Sequence, residues 1–432
     1  MKVFKVLDIY SVAKPLYYLS KLLGLAPFVI EGKSESRRLR LSCVTFLYSL
    51  FMLITLVARQ LLFVRDLYTI DNVESVLQTA SAIEEITSNV AVCVFFLLNL
   101  INRRKVYQIF FKLATLDKIL GGMCATYKQS LLSVIGQMCF HFIFLGSLGI
   151  ISVSNGGFNV YGDLFRFISI GSNFLVVLVV DLEITNLVFT LKQRFCIVNS
   201  RFSECIGKTN FEIPNPKRWD NTSILYMDNS VPKFIHVKSS LLKLKNLTDL
   251  HDFLCDVSAL VNSTYSVHML FDVMLKFVAI IFNVYFRLLR VLNYDRGRYE
   301  DNVYEGIMAA VLSWNVLQLT ALVWACQSAS EEANRTAAIV HKLISNTSDI
   351  EVKEELKIFS LKLLHRKVQF TACGFFPLDF TLLHSITGAV TTYLVILIQF
   401  QLSFTVPSQN ITVTMALQEA TSSSGVTPIM HP

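Results

Sequence analysis

Seven stretches of this chain are long and apolar enough to cross a bilayer, and no other feature restricts its fold as strongly. They cover about 41–63, 82–101, 131–153, 164–191, 266–290, 303–326 and 379–404. Each supplies the ~20 residues that a helix needs to span roughly 30 Å of hydrocarbon. No water is available there, so every backbone N–H and C=O must be satisfied within the segment, which a helix does. Composition agrees: 53% of the residues are hydrophobic and 16% are charged, against about 25% charged in soluble domains. The mean hydropathy is +0.51.

Lys and Arg set the orientation, because basic loops stay in the cytoplasm. Eight lie in residues 1–40, six in 102–130, ten in 192–265 and seven in 327–369. Only Arg65, Arg296 and Arg298 fall on the other side. The N-terminus is therefore predicted inside and, with an odd number of spans, the C-terminus outside. The net charge of +7 is a topology signal, and no basic patch interleaved with aromatics points to nucleic acid. Residues 1–20 mix Lys5, Asp8 and Lys14 into the apolar run, so no clean signal-peptide core forms. The nine cysteines all lie in spans or cytoplasmic segments, which argues against an extracellular disulfide, and no CxxC pair suggests a metal.

The cytoplasmic segments read as helical. Val106, Ile109, Phe110, Leu113, Leu116 and Leu120 recur near a 3.6 period. Residues 241–261 repeat this pattern and run into the fifth span with no Gly or Pro to stop them, which predicts one long helix. Residues 351–371 predict another. Residues 207–232 contain Pro214, Pro216 and Pro232 and read as a flexible loop. The tail 405–432 reads as disordered. In CGFFPLDF (373–380), Gly374 and Pro377 predict a break between a cytoplasmic helix and the last span. The fold class is thus all-α: seven transmembrane helices extended into a cytoplasmic anchor bundle. Residues 1–350 form helices one to six, 351–404 a cytoplasmic helix plus the seventh span, and 405–432 an extracellular tail.

The last span carries Gln399 near its outer end. An amide in lipid must be paired or wet. Three readings stay open: a bond to a neighbouring helix, a place at the headgroup level, or a water-filled pore. A pore needs several copies of the helix around one axis. A ring of neutral amides would then replace part of a cation's hydration without strong selectivity. Ile396, one turn inward, would form an apolar constriction that closes by dewetting, and Gly388 and Ala389 leave room for close packing.

TYLVILIQF (392–400), Thr-Tyr followed by five apolar residues and Gln-Phe, resembles the signature of the insect gustatory receptor family at every position. FTACGFFPLDFTLLHSITGAVTTYLVILIQFQ (370–401) is similar to that family's C-terminal region. LSKLLGLAPF (19–28) resembles its N-terminal segment, particularly on the fructose-receptor branch. His251, Leu254, Asn262 and Tyr265 are similar to a pattern before its fifth span. The resemblance implies a homotetrameric, tastant-gated, non-selective channel for sodium, potassium and calcium in the plasma membrane of sensory neurons. It uses no cofactor and no metal site, and related receptor subunits are possible partners. It further implies that Ile396 is the gate, Gln399 the polar ring above it, Phe400 its packing neighbour and Tyr393 a packing residue; helical spacing places Thr392 on the face of Gln399. The chain departs from the family pattern in continuing past the motif to residue 432, with a glycosylation sequon at Asn410.

A tastant arriving from outside would meet the outer halves of spans two to six. Chain direction places Glu84, Ser172, Asn173, Glu305, Trp314 and Asn315 there, with Glu85, Asn283, Tyr285 and Arg287 nearby. A sugar site needs amides and a carboxylate for hydroxyls and an aromatic wall for the C–H face. Asn173, Glu305, Asn315 and Trp314 supply these types. The plainer alternative makes Glu84, Glu85 and Arg287 interhelical ion pairs and the asparagines helix bridges. Asp181 and Glu183 fall in the inner half of span four and read as structural. Sugar is the first expectation for the ligand and bitter plant compounds the second. A G-protein-coupled receptor would place its N-terminus outside, against the charges, and neither Asp-Arg-Tyr nor Asn-Pro-x-x-Tyr stands at a span end. A transporter of duplicated halves would show an internal repeat. No catalytic motif suggests an enzyme.

Overall fold

The computed structural model describes residues 8–32, 38–69, 76–121, 124–154, 164–207, 232–292 and 300–399. Seven helices in it are long and apolar enough to cross a membrane. They are α2 (Cys43–Thr69), α3 (Val76–Leu120), α4 (Cys124–Ser154), α5 (Leu164–Gly207), α6 (Pro232–Leu292), α7 (Glu300–Asn346) and α9, whose apolar span is Phe380–Gln399. α1 (Ile9–Leu22) precedes them, and α8 (Ile350–His365) lies between α7 and α9.

The spans run on into the cytoplasmic extensions without interruption. α3 carries Ile109, Leu113 and Leu116 on one fully buried face, and α6 joins residues 241–261 to the fifth span as one helix. Residues 208–231, the expected loop, lie outside the described residues, as do Phe400 and the tail with Asn410.

Two elements differ from expectation. The helix predicted over 351–371 stops at His365 and gives way to a hairpin of β3 (Thr371–Ala372) and β4 (Phe376–Pro377). Asn334 of α7 explains the stop, because its side chain accepts from Val368 N at 3.2 Å and donates to Val368 O at 3.1 Å. These bonds stand in for the helical ladder. The hairpin turn needs positive φ at Cys373 (53°) and Gly374 (78°), and Pro377 sits in its second strand. The second difference lies at the N-terminus, where α1 and a hairpin of β1 (Phe28–Glu31) and β2 (Arg38–Leu41) form. Asp8 caps α1 by accepting from Ser11 N at 3.0 Å. Gly24 ends it at φ +80°, where a Cβ would stand 2.9 Å from Met52 Cγ. Only glycine fits that site.

α5 is the central helix. In its most apolar window 56% of residues are buried, against 6% for α4 and 11% for α9. α7 lies along α5, and α3 and α6 lie along each other. The α5–α7 seam is polar at its cytoplasmic end: Thr336 Oγ1 donates to Asn199 Oδ1 at 2.7 Å, and Asn199 Nδ2 donates to Glu332 O at 2.8 Å. Arg194 of α5 grips Asp117 of α3 with two bonds, Nε to Oδ1 at 3.0 Å and Nη2 to Oδ2 at 2.9 Å. Such bidentate pairs fix geometry as well as charge. Deeper in the bundle, Lys276 of α6 donates to Asp181 of α5 at 2.7 Å and to Asp272 one turn earlier on its own helix. All three residues are buried.

Candidate functional site

α9 begins at a cap. Asp379 Oδ1 accepts from Thr381 N at 3.0 Å, so the helix starts at Phe380, with Leu378 and Asp379 between it and the end of β4. Leu378, Leu382 and Val390 face the rest of the subunit and are buried. The opposite face is uncovered: Thr381, Ser385, Gly388, Thr392, Ile396 and Gln399 are all exposed. Their spacing of three or four residues places them on one line. Ile396 is 53% and Tyr393 51% exposed. Tyr393 turns towards α6, with its ring centroid 6.0 Å from that of Phe277 at 76°. The hydroxyls of Ser385, Thr387, Thr391 and Thr392 donate to carbonyls one turn back at 2.9–3.0 Å. They are satisfied in lipid and still have lone pairs for water. Like α4, α9 is an apolar span with little of itself covered by the rest of the chain, and unlike a purely lipid-facing helix it carries an amide, hydroxyls and a glycine along one uncovered line.

The root of α9 is held tightly. Asn262 of α6 accepts from Thr371 N at 2.9 Å and donates to its Oγ1 at 3.3 Å. Leu378 N donates to Phe370 O at 2.9 Å. Arg366 pairs with Asp252 at 3.4 Å and with Asp256. The hairpin is thus a rigid joint between the cytoplasmic bundle and the span, placed where Gly374 and Pro377 predict a break.

The residues expected to line an outer pocket fall into three groups. Ser172 and Asn173 at the outer end of α5 join Asn89 of α3 around Arg59 of α2. The guanidinium donates to Ser172 Oγ at 2.9 Å, Asn89 Oδ1 at 2.8 Å and Asn173 Oδ1 at 2.7 Å. Asn173 Nδ2 donates to Asn89 Oδ1 at 2.9 Å. Glu84 is half-buried on α3, within two turns of Asn89. Glu305 forms the second group, paired with Arg287 of α6 at 3.3 Å. Trp314 forms the third, buried against α4: its ring stacks on Phe144 at 4.2 Å and 6°, with His141 edge-on at 4.6 Å. Asn315 beside it is buried and donates to Val311 O at 2.9 Å. Arg59 and Asn89 were not singled out from sequence. The signal was an arginine inside an apolar span, which needs a polar partner.

A model of the "7tm Chemosensory receptor" family matches residues 13–404. Among curated proteins, "Gustatory receptor for bitter taste 66a" of Drosophila melanogaster is 32% identical over 37% of this chain and 31% of its own length. "Gustatory receptor for sugar taste 43a" of the same organism is 30% identical over 40% of this chain and 39% of its own length. The chain thus spans less than half the length of the curated relatives it matches. A solved structure of the insect olfactory receptor OR5 from Machilis hrabei superposes with a TM-score of 0.62 at 15% identity, covering 90% of this chain and 98% of that one. The structure of the same receptor in complex with eugenol gives 0.61. At that identity the likeness shows a shared all-α seven-span fold.

Proposed function

The chain belongs to the 7tm chemosensory receptor family, and from that premise we propose that it is a tastant-gated, non-selective cation channel of four copies. Membership makes it a multi-pass membrane receptor rather than an enzyme. The observation that carries the channel reading is the uncovered line of Thr381, Ser385, Gly388, Thr392, Ile396 and Gln399 on an apolar span. Four such lines around an axis give a wet path with a ring of amides at Gln399 and an apolar ring at Ile396. Phe400 would pack behind Gln399, and Tyr393, held by Phe277, would keep the helix in register. Sodium, potassium and calcium pass because neutral amides discriminate weakly between them. The place of action is the plasma membrane of a sensory neuron, alone or with related subunits.

The ligand site is the Arg59–Asn89–Ser172–Asn173 cluster, with Glu84 close by and Glu305, Trp314 and Asn315 along α7. Amides, a hydroxyl and a guanidinium in one place suit a ligand rich in hydroxyls, so a sugar is the first reading. The Phe140–Phe144–His141–Trp314 cluster favours a second, an aromatic bitter plant compound. A calcium-flux screen of cells expressing the chain alone, against sugars, alkaloids and glycosides, separates the two. A sugar response should need roughly 5-fold more ligand after Asn173→Leu, the loss of about 1 kcal/mol expected for one neutral amide–hydroxyl bond. Responses only to alkaloids or glycosides favour the second reading, and silence to every compound counts against the channel.

A further inference from the structure

We propose that the cavity beneath α1 binds a small protonated amine, with Glu183 as its counter-ion. This inference does not depend on the channel reading. α1 lies across α3, α4 and α5. Under it is a cavity of about 90 Å³, and Glu183 of α5 is the one charged side chain among the described residues that line it. The Glu183 carboxyl accepts from Ser20 Oγ of α1, and no Lys, Arg or His among the described residues pairs with it. An ionisable side chain within a span calls for a partner of opposite charge, because hydrocarbon does nothing to offset the charge. Here that partner is a ligand. The site is separate from the outer cluster: Glu183 lies ten residues inward of Asn173 along α5, roughly 15 Å.

Three further observations fix the chemistry. Asn99 of α3, 9% exposed, lines the same cavity, and its Nδ2 has no partner among the described residues. No side-chain hydrogen bond holds its amide, so Asn99 can turn its carbonyl to an ammonium N–H. A buried amide left unbonded is costly, and a ligand that satisfies it recovers that cost. Next, the rings of Tyr10, Tyr17, Phe28, Phe110 and Tyr265 line the cavity. Tyr10 stacks on Phe110 at 6.0 Å and Tyr17 on Phe28 at 5.8 Å, each pair forming a wall. Aromatic rings attract a cation, most strongly where water is excluded, whereas Glu183 repels an anion. Finally, the volume is small. A cavity of ~150 Å³ holds benzene, so about 90 Å³ admits on the order of four heavy atoms, the size of propylamine. Leu16, Leu25 and Val106 offer apolar surface to its alkyl part.

The test is saturation-transfer NMR on the purified full-length protein at neutral pH, with three probes of one size: propylamine, propanol and acetate. There they are a cation, a neutral molecule and an anion. Propylamine should bind roughly tenfold more tightly than propanol, because charge-assisted bonds are about twice as strong as neutral ones. Acetate should give no signal. Glu183→Gln keeps an acceptor for Ser20 and removes the charge, and should bring propylamine down to the level of propanol. Ala13→Trp, which fills the cavity, should abolish the propylamine signal. If either variant fails to run as a single species on size exclusion, Asn99→Leu replaces it and should weaken propylamine severalfold. Equal binding of propanol and propylamine, indifference of propylamine to the variants, or silence of all three probes, which leaves the cavity to water alone, overturns the proposal.

Discussion

Lys276→Met is expected to remove folded protein from the membrane. Lys276 stands between Asp181 and Asp272, and none of the three reaches solvent. With the ammonium in place, two carboxylates share one cation, and Asp181 Oδ1 and Asp272 Oδ2 already lack a partner. Without it, two acidic groups face each other in a low dielectric with nothing to offset them. Breaking a buried ion pair from one side costs about 3–5 kcal/mol. That is a large share of the ~5–15 kcal/mol that holds a domain together. Fluorescence-detected size exclusion should show the loss of the main peak. Adding Asp181→Asn and Asp272→Asn to Lys276→Met should restore much of it, because neutral amides can pair with each other. A normal peak for the single variant would mean that the cluster is hydrated or already protonated and neutral.

Ile396→Ser is expected to give a cation current without ligand. On the proposed reading, four Ile396 side chains meet at the closed constriction and exclude water. Burying an isoleucine is worth about 1.5–3 kcal/mol. Removing that term from four subunits at once shifts the closed state against the open one by well over tenfold. Serine also wets the constriction directly. Whole-cell recording should show a standing current that a large impermeant cation blocks, while Ile396→Leu stays closed. The joint at Asn262 and Asn334 is left intact in these variants, so the change reports on the constriction rather than on loss of docking.

Much of this architecture is legible in the chain because hydrocarbon is an unforgiving solvent. Runs of ~20 apolar residues have one stable form in it, and a 3.6 period continuing past the membrane, as at Ile109–Leu113–Leu116, extends the helix. Helical spacing puts Thr392 and Ile396 on the face of Gln399, and the structure leaves these three uncovered together with Thr381, Ser385 and Gly388 further down the same line. What escaped was set by partners distant in sequence. Nothing local in residues 366–372 announces a strand, because Asn262 and Asn334, on other helices, pull it out. The N-cap at Asp8 and the face Ile9–Val12–Leu16 of α1 were present but short, and Pro15 and the charges around them masked the period. The outer pocket candidates were chosen by depth along each span, which says nothing of rotation about the helix axis. That is why Trp314 turns to α4 and Ser172 and Asn173 turn to Arg59.

The central claim is that the uncovered line of α9 meets its copies around one axis. Its most direct test is thiol cross-linking of Gln399→Cys in intact cells with a short bifunctional methanethiosulfonate, read on a non-reducing gel against the parent chain and against Phe142→Cys on the exposed side of α4. The account predicts covalent dimers from Gln399→Cys and none beyond background from either control. A Gln399→Cys chain whose thiol takes up a monofunctional reagent yet stays monomeric would contradict it.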